Sequence, residues 1–186
     1  MTPFQCSIIV GLILSDGIQY RKTNPRIGFK QSIKNFEYFY VFIQLSTLCS
    51  GYPLVSNMKR GKLFYALEFN TRQLKCFNEI YTLFFSDYKI KVIKPELYDY
   101  LDYVAIAHIM GDGAKRNKGI TLCTDCFSYK EVVLLMNILK IKYNINSTIH
   151  KEKYKPRIYI SNKELLKILP YIKPYFTKNF LYKISL

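Results

Sequence analysis

Two stretches of this chain are apolar almost without interruption, and each ends at an Asp-Gly pair. The first is Ile8-Ile9-Val10-Gly11-Leu12-Ile13-Leu14-Ser15-Asp16-Gly17 and the second Val104-Ala105-Ile106-Ala107-His108-Ile109-Met110-Gly111-Asp112-Gly113. Both predict helices. Thr2 caps the first, with Pro3 at the favoured first helical position; Asp102 caps the second; Gly17 and Gly113 stop them. The pattern that follows is also written twice. A basic turn leads into alternating residues, in which Ile27 and Phe29 interleave with Arg26 and Lys30, and Ile120 and Leu122 with Thr121 and Cys123; both predict strands. A helix follows each: 35–48, with Phe36, Phe39, Tyr40 and Ile43 on one face, and 129–143, opened by a capping box from Ser128 to Glu131. Next comes a hairpin. One flanks Lys59-Arg60-Gly61-Lys62, and the other pairs 147–151 with 157–161 across a turn near Pro156. A third helix closes each half, 72–85 and 162–169, the latter with a second capping box from Ser161 to Glu164. The predicted fold class is α+β, two pseudo-symmetric αββαββα repeats over 1–90 and 91–186 forming one compact unit, with a linker near 87–101 that contains Pro95.

A helix that is apolar all round is buried, and two such helices in a repeated chain most simply bury each other. Small residues four apart fit this: Gly11 and Ser15 in one, Ala107 and Gly111 in the other. They make a flat stripe that lets two backbones approach, a rule best documented in membranes but steric in origin. Such packing would put Asp16 and Asp112 side by side at one end of the pair. Neighbouring carboxylates repel, and a divalent cation bound through oxygen is the natural solution. A lone Asp-Gly is as readily a turn; the pair at matching offsets is what points to a metal.

Charge adds a partner. Lys and Arg number 28 against 13 Asp and Glu, a formal net charge of +15, which is self-repulsive without an anionic partner. The excess is spread over many segments rather than gathered on one amphipathic helix, so nucleic acid is favoured over a membrane surface. No apolar run approaches the roughly 20 residues of a membrane helix, and the N-terminus lacks the basic region of a secretory signal. The 5 cysteines, Cys6, Cys49, Cys76, Cys123 and Cys126, are odd in number and scattered, which predicts free thiols in a reducing compartment. Cys123 and Cys126 form a CxxC, but a structural zinc needs two more ligands and only His108 and His150 are on offer; the pair is read as two small strand residues. A composition rich in Lys, Asn, Ile, Tyr and Phe, without Trp, resembles translation from an AT-rich genome and hints at an organelle.

The two openers, IVGLILSDG from Ile9 to Gly17 and AIAHIMGDG from Ala105 to Gly113, resemble the LAGLIDADG motif of homing endonucleases and intron maturases. The stretch from Gly119 to Phe176, with GITLCTDCFSYKEVVLLMNILK, TIHKEKYKPRIYIS and YIKPYF, is similar to the second half of the single-chain, yeast-mitochondrial type of that family. The resemblance therefore covers essentially the whole chain. Leu14 and Met110 stand where the family's name has its first Asp. Ser15 and Gly111 replace its Ala and stay small. His108 lies at an unusual place inside the helix interface and is assigned no role.

The resemblance implies a saddle of two four-stranded antiparallel sheets over a long DNA site, packed through the two LAGLIDADG helices. It implies a site-specific double-strand break made across the minor groove, leaving 3′ overhangs. It implies Mg²⁺ (or Mn²⁺) on Asp16 and Asp112, with the carbonyls of Ser15 and Gly111 as added ligands. It also implies a lysine after the third helix of each half: Lys183 in FLYKI, and Lys91, with Lys89 and Lys94 as rivals. Hydrolysing a phosphodiester needs a positioned water, neutralised phosphoryl charge and a stabilised leaving oxygen, and metal between carboxylates with a lysine nearby can supply them.

Strand periodicity assigns the DNA face. Arg26 and Lys30 share a face opposite Ile27 and Phe29; Arg157, Tyr159 and Ser161 share one opposite Ile158 and Ile160. The apolar faces must meet the helices, so the polar faces would meet DNA, where sheet ribbons can enter the major groove. Arg26, Lys30, Arg157 and His150 are candidate base or backbone readers, with Tyr159 among them. Arg21, Lys22, Lys59, Arg60, Lys62, Lys115, Arg116 and Lys153 sit in turns or strand ends, where phosphate contact is expected. Solvated surface charge is the competing reading for each. The expectation is a monomeric, intron-encoded homing endonuclease of a mitochondrion or chloroplast, on the matrix or stroma side, acting on double-stranded DNA. Two other functions stand on the same fold: an RNA maturase aiding group I intron splicing, with intron RNA as partner, and a catalytically inactive DNA-binding protein. Presence of both Asp16 and Asp112 favours the nuclease.

Overall fold

The computed structural model describes residues 1–15, 25–33, 39–59, 63–88, 90–116 and 118–184. In chain order the elements are α1 (Pro3–Leu14), β1 (Gly28–Ser32), α2 (Phe39–Leu45), β2 (Leu54–Lys59), β3 (Leu63–Asn70), α3 (Cys76–Phe84), α4 (Leu97–Tyr100), α5 (Tyr103–Asp112), β4 (Ala114–Arg116), β5 (Gly119–Leu122), α6 (Tyr129–Tyr143), β6 (Ser147–Glu152), β7 (Lys155–Ser161), α7 (Asn162–Ile172) and α8 (Lys178–Leu181).

Helix α1 starts at a full capping box: the Gln5 N–H donates to the Thr2 hydroxyl and the Thr2 N–H donates to Gln5 Oε1. Every residue from Ser7 to Leu14 is buried, so beyond its first turn the helix gives no face to solvent. Its counterpart α5 is capped by Asp102, whose Oδ1 accepts from the Ala105 N–H. Asp102 also reaches across, its Oδ2 accepting from Ser7 Oγ of α1 at 2.6 Å. One turn further along, Gly11 lies against Ala105 and His108. A Cβ on Gly11 would fall 2.5 Å from the Ala105 carbonyl oxygen and 2.6 Å from His108 Cβ. The two helices thus meet nearly backbone to backbone. Contacts run in the same order along both, Ser7 then Gly11 against Asp102 then Ala105 and His108, so α1 and α5 are parallel and end on the same side. Around this contact Ile8, Ile9, Leu12 and Ile13 are almost wholly inaccessible, each contributing about 1.5–3 kcal/mol by burial.

Each half then builds an antiparallel sheet, in the order β1-β3-β2 among the described residues of the first and β4-β5-β7-β6 in the second. The halves share one plan: a strand, a helix, then a hairpin whose second strand returns beside the first. One core runs from α1 and α5 into both sheets and the helices behind them. In the second half α7 packs on α5, β5 and β7. In β7 the alternation is plain: Pro156, Ile158 and Ile160 are buried while Arg157, Tyr159 and Ser161 are partly exposed.

Helix α6 spans Tyr129–Tyr143 with its Ser128–Glu131 capping box, as the sequence predicts. Other boundaries move for local reasons. The basic segment after α5, expected as a turn, is strand β4, paired through Ala114↔Thr121 and Arg116↔Gly119. Thr121 is buried between Ala114 and Tyr159 of the flanking strands. The helix expected from 72 begins at Cys76, because the Arg72 N–H donates to the Leu48 carbonyl and prolongs the Cys49↔Thr71 bridge. The second hairpin turns at Lys153-Tyr154, with φ of 50° and 66°, and not at Pro156, which pairs with Lys151 inside β7. Two positive φ values make the tight turn that matches strand twist. Proline fits where it is because β5 pairs along β7 only as far as Ile158.

Helix α7 runs past 169 to Ile172 through Pro170. The hydrogen bond that proline omits would have gone to Leu166, which is exposed and can be hydrated. Its capping is only half the expected box. Ser161 Oγ accepts from the Glu164 N–H, but the Glu164 carboxylate accepts from the Asn146 N–H and from Lys167 Nζ instead. Of the helix expected over 35–48, the described part is α2, continued by a 3-10 turn over Ser46–Leu48. The expected fourth strand of the first sheet is not found among the described residues, and the expected stop at Gly17 lies outside them.

The Gly11 contact is open to test. Gly11→Ala is expected to cost about 1–3 kcal/mol by overpacking against a carbonyl that cannot rotate away. Gly51→Ala, whose Cβ would meet nothing within 4 Å, is the control. Urea midpoints that shift equally in the two variants would mean that α1 and α5 stand further apart than described.

Candidate nucleic-acid interface

The parallel ends of α1 and α5 define one side of the molecule. Ser15 caps α1, its N–H donating to the Gly11 carbonyl and its hydroxyl to that of Leu12. Gly113 caps α5, its N–H donating to the Met110 carbonyl. A Cβ on Gly113 would fall 2.9 Å from the Thr121 carbonyl oxygen, so glycine is what lets the helix end sit down on β5. Gly111 lies in the last turn of α5 and Asp112 is its last residue. Asp16, the residue after the α1 cap, lies outside the described residues. Two helix C-termini on one side put the negative ends of two macrodipoles together, which favours a cation. A carboxylate-and-carbonyl donor set, as the sequence leads one to expect here, is of the hard, all-oxygen kind that suits a divalent cation. Among the described residues no group of three or more His, Cys, Asp and Glu side chains converges as a metal centre.

The lysines divide by what they touch. Lys91 pairs with Phe85 in an isolated bridge, and its ammonium stands 5.1 Å from the ring centroid of Phe127. Lys183 follows α8, 4.7 Å from the ring of Phe180. The rival Lys94 is spent structurally: it donates to the Thr82 and Phe85 carbonyls at the end of α3, where a cation suits the helix dipole. Lys89 lies outside the described residues. His108 borders a cavity of about 160 Å³ whose walls include Phe4, Tyr175 and Phe180. Burial pushes its pKa down to about 4, with Asp102 pulling weakly the other way, so it is neutral at pH 7.

On the second sheet, the side away from the helices carries Arg116, Thr121, His150, Arg157 and Tyr159, brought together by the pairs His150↔Arg157 and Thr121↔Tyr159. They line a groove of about 810 Å³. Tyr159 donates to the Lys118 carbonyl at 2.7 Å, and its ring stacks on His150 with centroids 4.6 Å apart. Arg157 is gripped on two sides. Nε and Nη2 donate to Asp125 Oδ1 and Oδ2 at 2.7 and 2.6 Å, and Nη1 donates to Glu152 Oε2 at 2.6 Å. Arg116 Nη2 shares that Glu152 oxygen at 3.0 Å. The guanidinium holds the Asp125 carboxyl below the usual carboxylate range. The Thr121 hydroxyl is buried without a hydrogen-bond partner among the described residues.

Elsewhere the expected contacts are more dispersed. Lys115, exposed and opposite Ile120 on β4, lies at the border of the groove with Arg116. Lys153 sits at the hairpin tip. In the first half, Arg26 is partly exposed just before β1, Lys30 pairs with Glu68 across the strands at 3.3 Å, and Lys59 ends β2. Arg21, Lys22, Arg60 and Lys62 lie outside the described residues. Sequence reasoning missed Asp125, Glu152 and Thr121. Glu152 is legible after the fact, since strand period places it on the face of His150. Asp125 had no local signal, being 32 residues from the arginine it holds.

Comparison with known proteins places this arrangement. The LAGLIDADG DNA endonuclease family matches residues 6–168. The cytochrome b mRNA maturase bI2 of Saccharomyces cerevisiae is 35% identical over 197 residues, covering 96% of this chain and 47% of the maturase. The chain therefore spans about half the length of that relative. The intron-encoded endonuclease ai4 of Dictyostelium discoideum is 33% identical over 128 residues, covering 67% of this chain and 80% of that protein. Among solved structures, the homing endonuclease I-WcaI bound to its DNA recognition sequence superposes with a TM-score of 0.90 at 27% identity, over 100% of this chain and 87% of that one. I-DmoI in complex with DNA and Mn shares the fold, with a TM-score of 0.53 at 16% identity over 91% of this chain and 96% of that one.

The buried histidine makes a pH prediction. Its pKa is about 4 when folded against an ordinary 6.5, so the unfolded chain takes up a proton first. The stability due to its neutral burial is complete above about 6.5 and is lost as pH falls from there toward 4. Thermal melts between pH 7.5 and 4.5 should show this fall, and His108→Gln should flatten it. An equal fall in the variant would assign the proton uptake to another group.

Proposed function

The chain belongs to the LAGLIDADG DNA endonuclease family, and from that membership we propose that it is an intron-encoded homing endonuclease that makes a double-strand break at one long DNA site, leaving 3′ overhangs. The observation that carries this reading is the parallel, in-register packing of α1 and α5, which brings the ends of both motif helices to the same side. Asp112 closes α5, and Asp16 follows the cap of α1. These two carboxylates would hold the divalent cation, Mg²⁺ or Mn²⁺, with the Ser15 and Gly111 carbonyls beside them. Bound there, the ion would supply Lewis acidity toward the phosphoryl oxygens and a water of lowered pKa.

The rest of the work falls to the chain itself. Lys91 and Lys183 are placed after the third helix of each half and would stabilise charge developing on the phosphate and the leaving oxygen. The faces carrying Arg26 and Lys30, and Arg157, His150 and Tyr159, would lie in the major groove, while Arg21, Lys22, Lys59, Arg60, Lys62, Lys115, Arg116 and Lys153 would contact phosphates. The net charge of +15 supports the long anionic site. Residues 1–90 and 91–186 would act as two repeats of one monomer, each supplying one carboxylate, and the compartment would be the mitochondrial matrix or the chloroplast stroma. A second reading, an RNA maturase that assists group I splicing, is favoured by the yeast relative, which is named a maturase.

A cleavage assay tests this. The protein and Mg²⁺ are mixed with a library of randomised duplex sites, and cut products are sequenced, with Asp16→Asn and Asp112→Asn in parallel. The expected result is a discrete set of cut sites with short 3′ overhangs, reduced in each variant by on the order of a thousandfold, the worth of several kcal/mol of transition-state stabilisation. Intact duplex together with tight binding of intron RNA would replace the nuclease by the maturase.

A further inference from the structure

The second sheet carries a cluster that its basic surroundings do not explain. Arg116, Glu152, Arg157 and Asp125 form a continuous chain of ion pairs on the groove face. Two guanidiniums and two carboxylates sum to no net charge, in a chain of net charge +15. A surface that binds phosphates through charge gains from each cation and loses from each carboxylate beside it, because affinity follows counterion release. The quartet therefore adds nothing to non-specific attraction for a polyanion. What it does is immobilise one side chain. A guanidinium has five N–H donors, and three of those on Arg157 are fixed by Asp125 and Glu152. The others, one on each terminal nitrogen, are held in one plane by that grip. Arg157 is also mid-strand, opposite His150, and not in a turn where backbone contacts concentrate. Thr121, only 3% exposed and lining the same groove, keeps a hydroxyl without a partner among the described residues.

We infer that Asp125 and Glu152 are positioning residues that aim Arg157 at a guanine of the target duplex, so that one G·C pair of the recognition site is read through a pre-fixed arginine. The inference rests on the DNA-binding reading above. Guanine presents two acceptors, O6 and N7, to the major groove, and its cytosine presents an N4 amine. The cluster offers the complement of both: N–H donors on Arg157, and on Glu152 a carboxylate that only accepts. Adenine would set an N6 amine against the arginine's donors, so an A·T pair in that orientation is disfavoured.

The experiment is selection of bound duplexes from a randomised library without divalent metal, so that binding is read apart from cutting. The unaltered protein is compared with Asp125→Asn, Asp125→Glu, Glu152→Gln and Arg157→Lys. The unaltered protein should select guanine at one position. Arg157→Lys, which keeps the charge but not the planar fork, should lose that preference by on the order of tenfold. Asp125→Asn and Glu152→Gln should weaken the same position while preferences elsewhere persist, and Asp125→Glu should recover part of it. Total binding to unselected DNA should not fall in Asp125→Asn, since a negative charge has been removed. Full retention of the guanine preference in Asp125→Asn, or an even loss at all positions as a loosened fold would give, overturns the inference. Should Asp125→Asn fail to fold, Glu152→Gln and Arg157→Lys decide by the same two patterns. An unaltered protein that selects no duplex overturns the DNA-endonuclease reading and this inference with it; sharp selection that all the variants share overturns this inference alone.

Discussion

The approach of α1 to α5 at Gly11 orients the rest of the molecule. With 2.5 Å between a hypothetical Cβ and the Ala105 carbonyl oxygen, the distance between the helices is set by backbone and not by adaptable side chains. Ser7 and Asp102 add a hydrogen bond at the start of the pair, which fixes the register as well as the spacing. Parallel direction, close approach and register together leave the two C-terminal ends on the same side. A contact that stiff holds the groups at the two helix ends in a fixed relation, as a preorganised site requires.

The sheets hang from that axis. Gly113 lets the end of α5 rest on the Thr121 carbonyl, so the floor of the second sheet begins where the motif helix stops. Strand β5 is buried along its whole length, and β7 alternates between a face turned to α6 and α7 and a face turned outward. The outward side chains are therefore placed relative to Asp112 by rigid elements rather than by loops, and sites built on strands are the more reproducible for it.

Charge is arranged in two ways on this framework. Most of the positive excess is scattered, exposed and suited to long-range attraction, which is screened by salt. The Arg116–Glu152–Arg157–Asp125 chain is neutral and partly shielded, with the Arg157 and Asp125 side chains 21% and 28% exposed. Bidentate, charge-assisted hydrogen bonds of that kind define direction as well as adding stability. Attraction and orientation are thus assigned to different residues. The same division is visible among the lysines, where Lys94 closes the end of α3 while Lys91 and Lys183 keep their ammonium groups over aromatic faces.

The periodicity of the chain determined the elements and their pairing into two like halves. Caps at Thr2, Ser128 and Asp102 are local chemistry, satisfied by an N–H a few residues away, so they could be read from neighbouring letters. The small residue at Gly11 was likewise legible, because two all-apolar helices have little but each other to bury against. What tertiary structure alone decided is everything that depends on partners distant in sequence. Arg72 left its helix because Leu48 offered a carbonyl. Glu164 abandoned the reciprocal half of its capping box for Asn146 and Lys167. The hairpin turned at Lys153-Tyr154 because the register of β6 on β7 placed Pro156 inside the strand. Arg157 acquired Asp125 from a loop that no local pattern connects to it. Short-range hydrogen bonds follow from spacing along the chain, whereas the competition among acceptors brought together by folding is settled only when the core has fixed their distances.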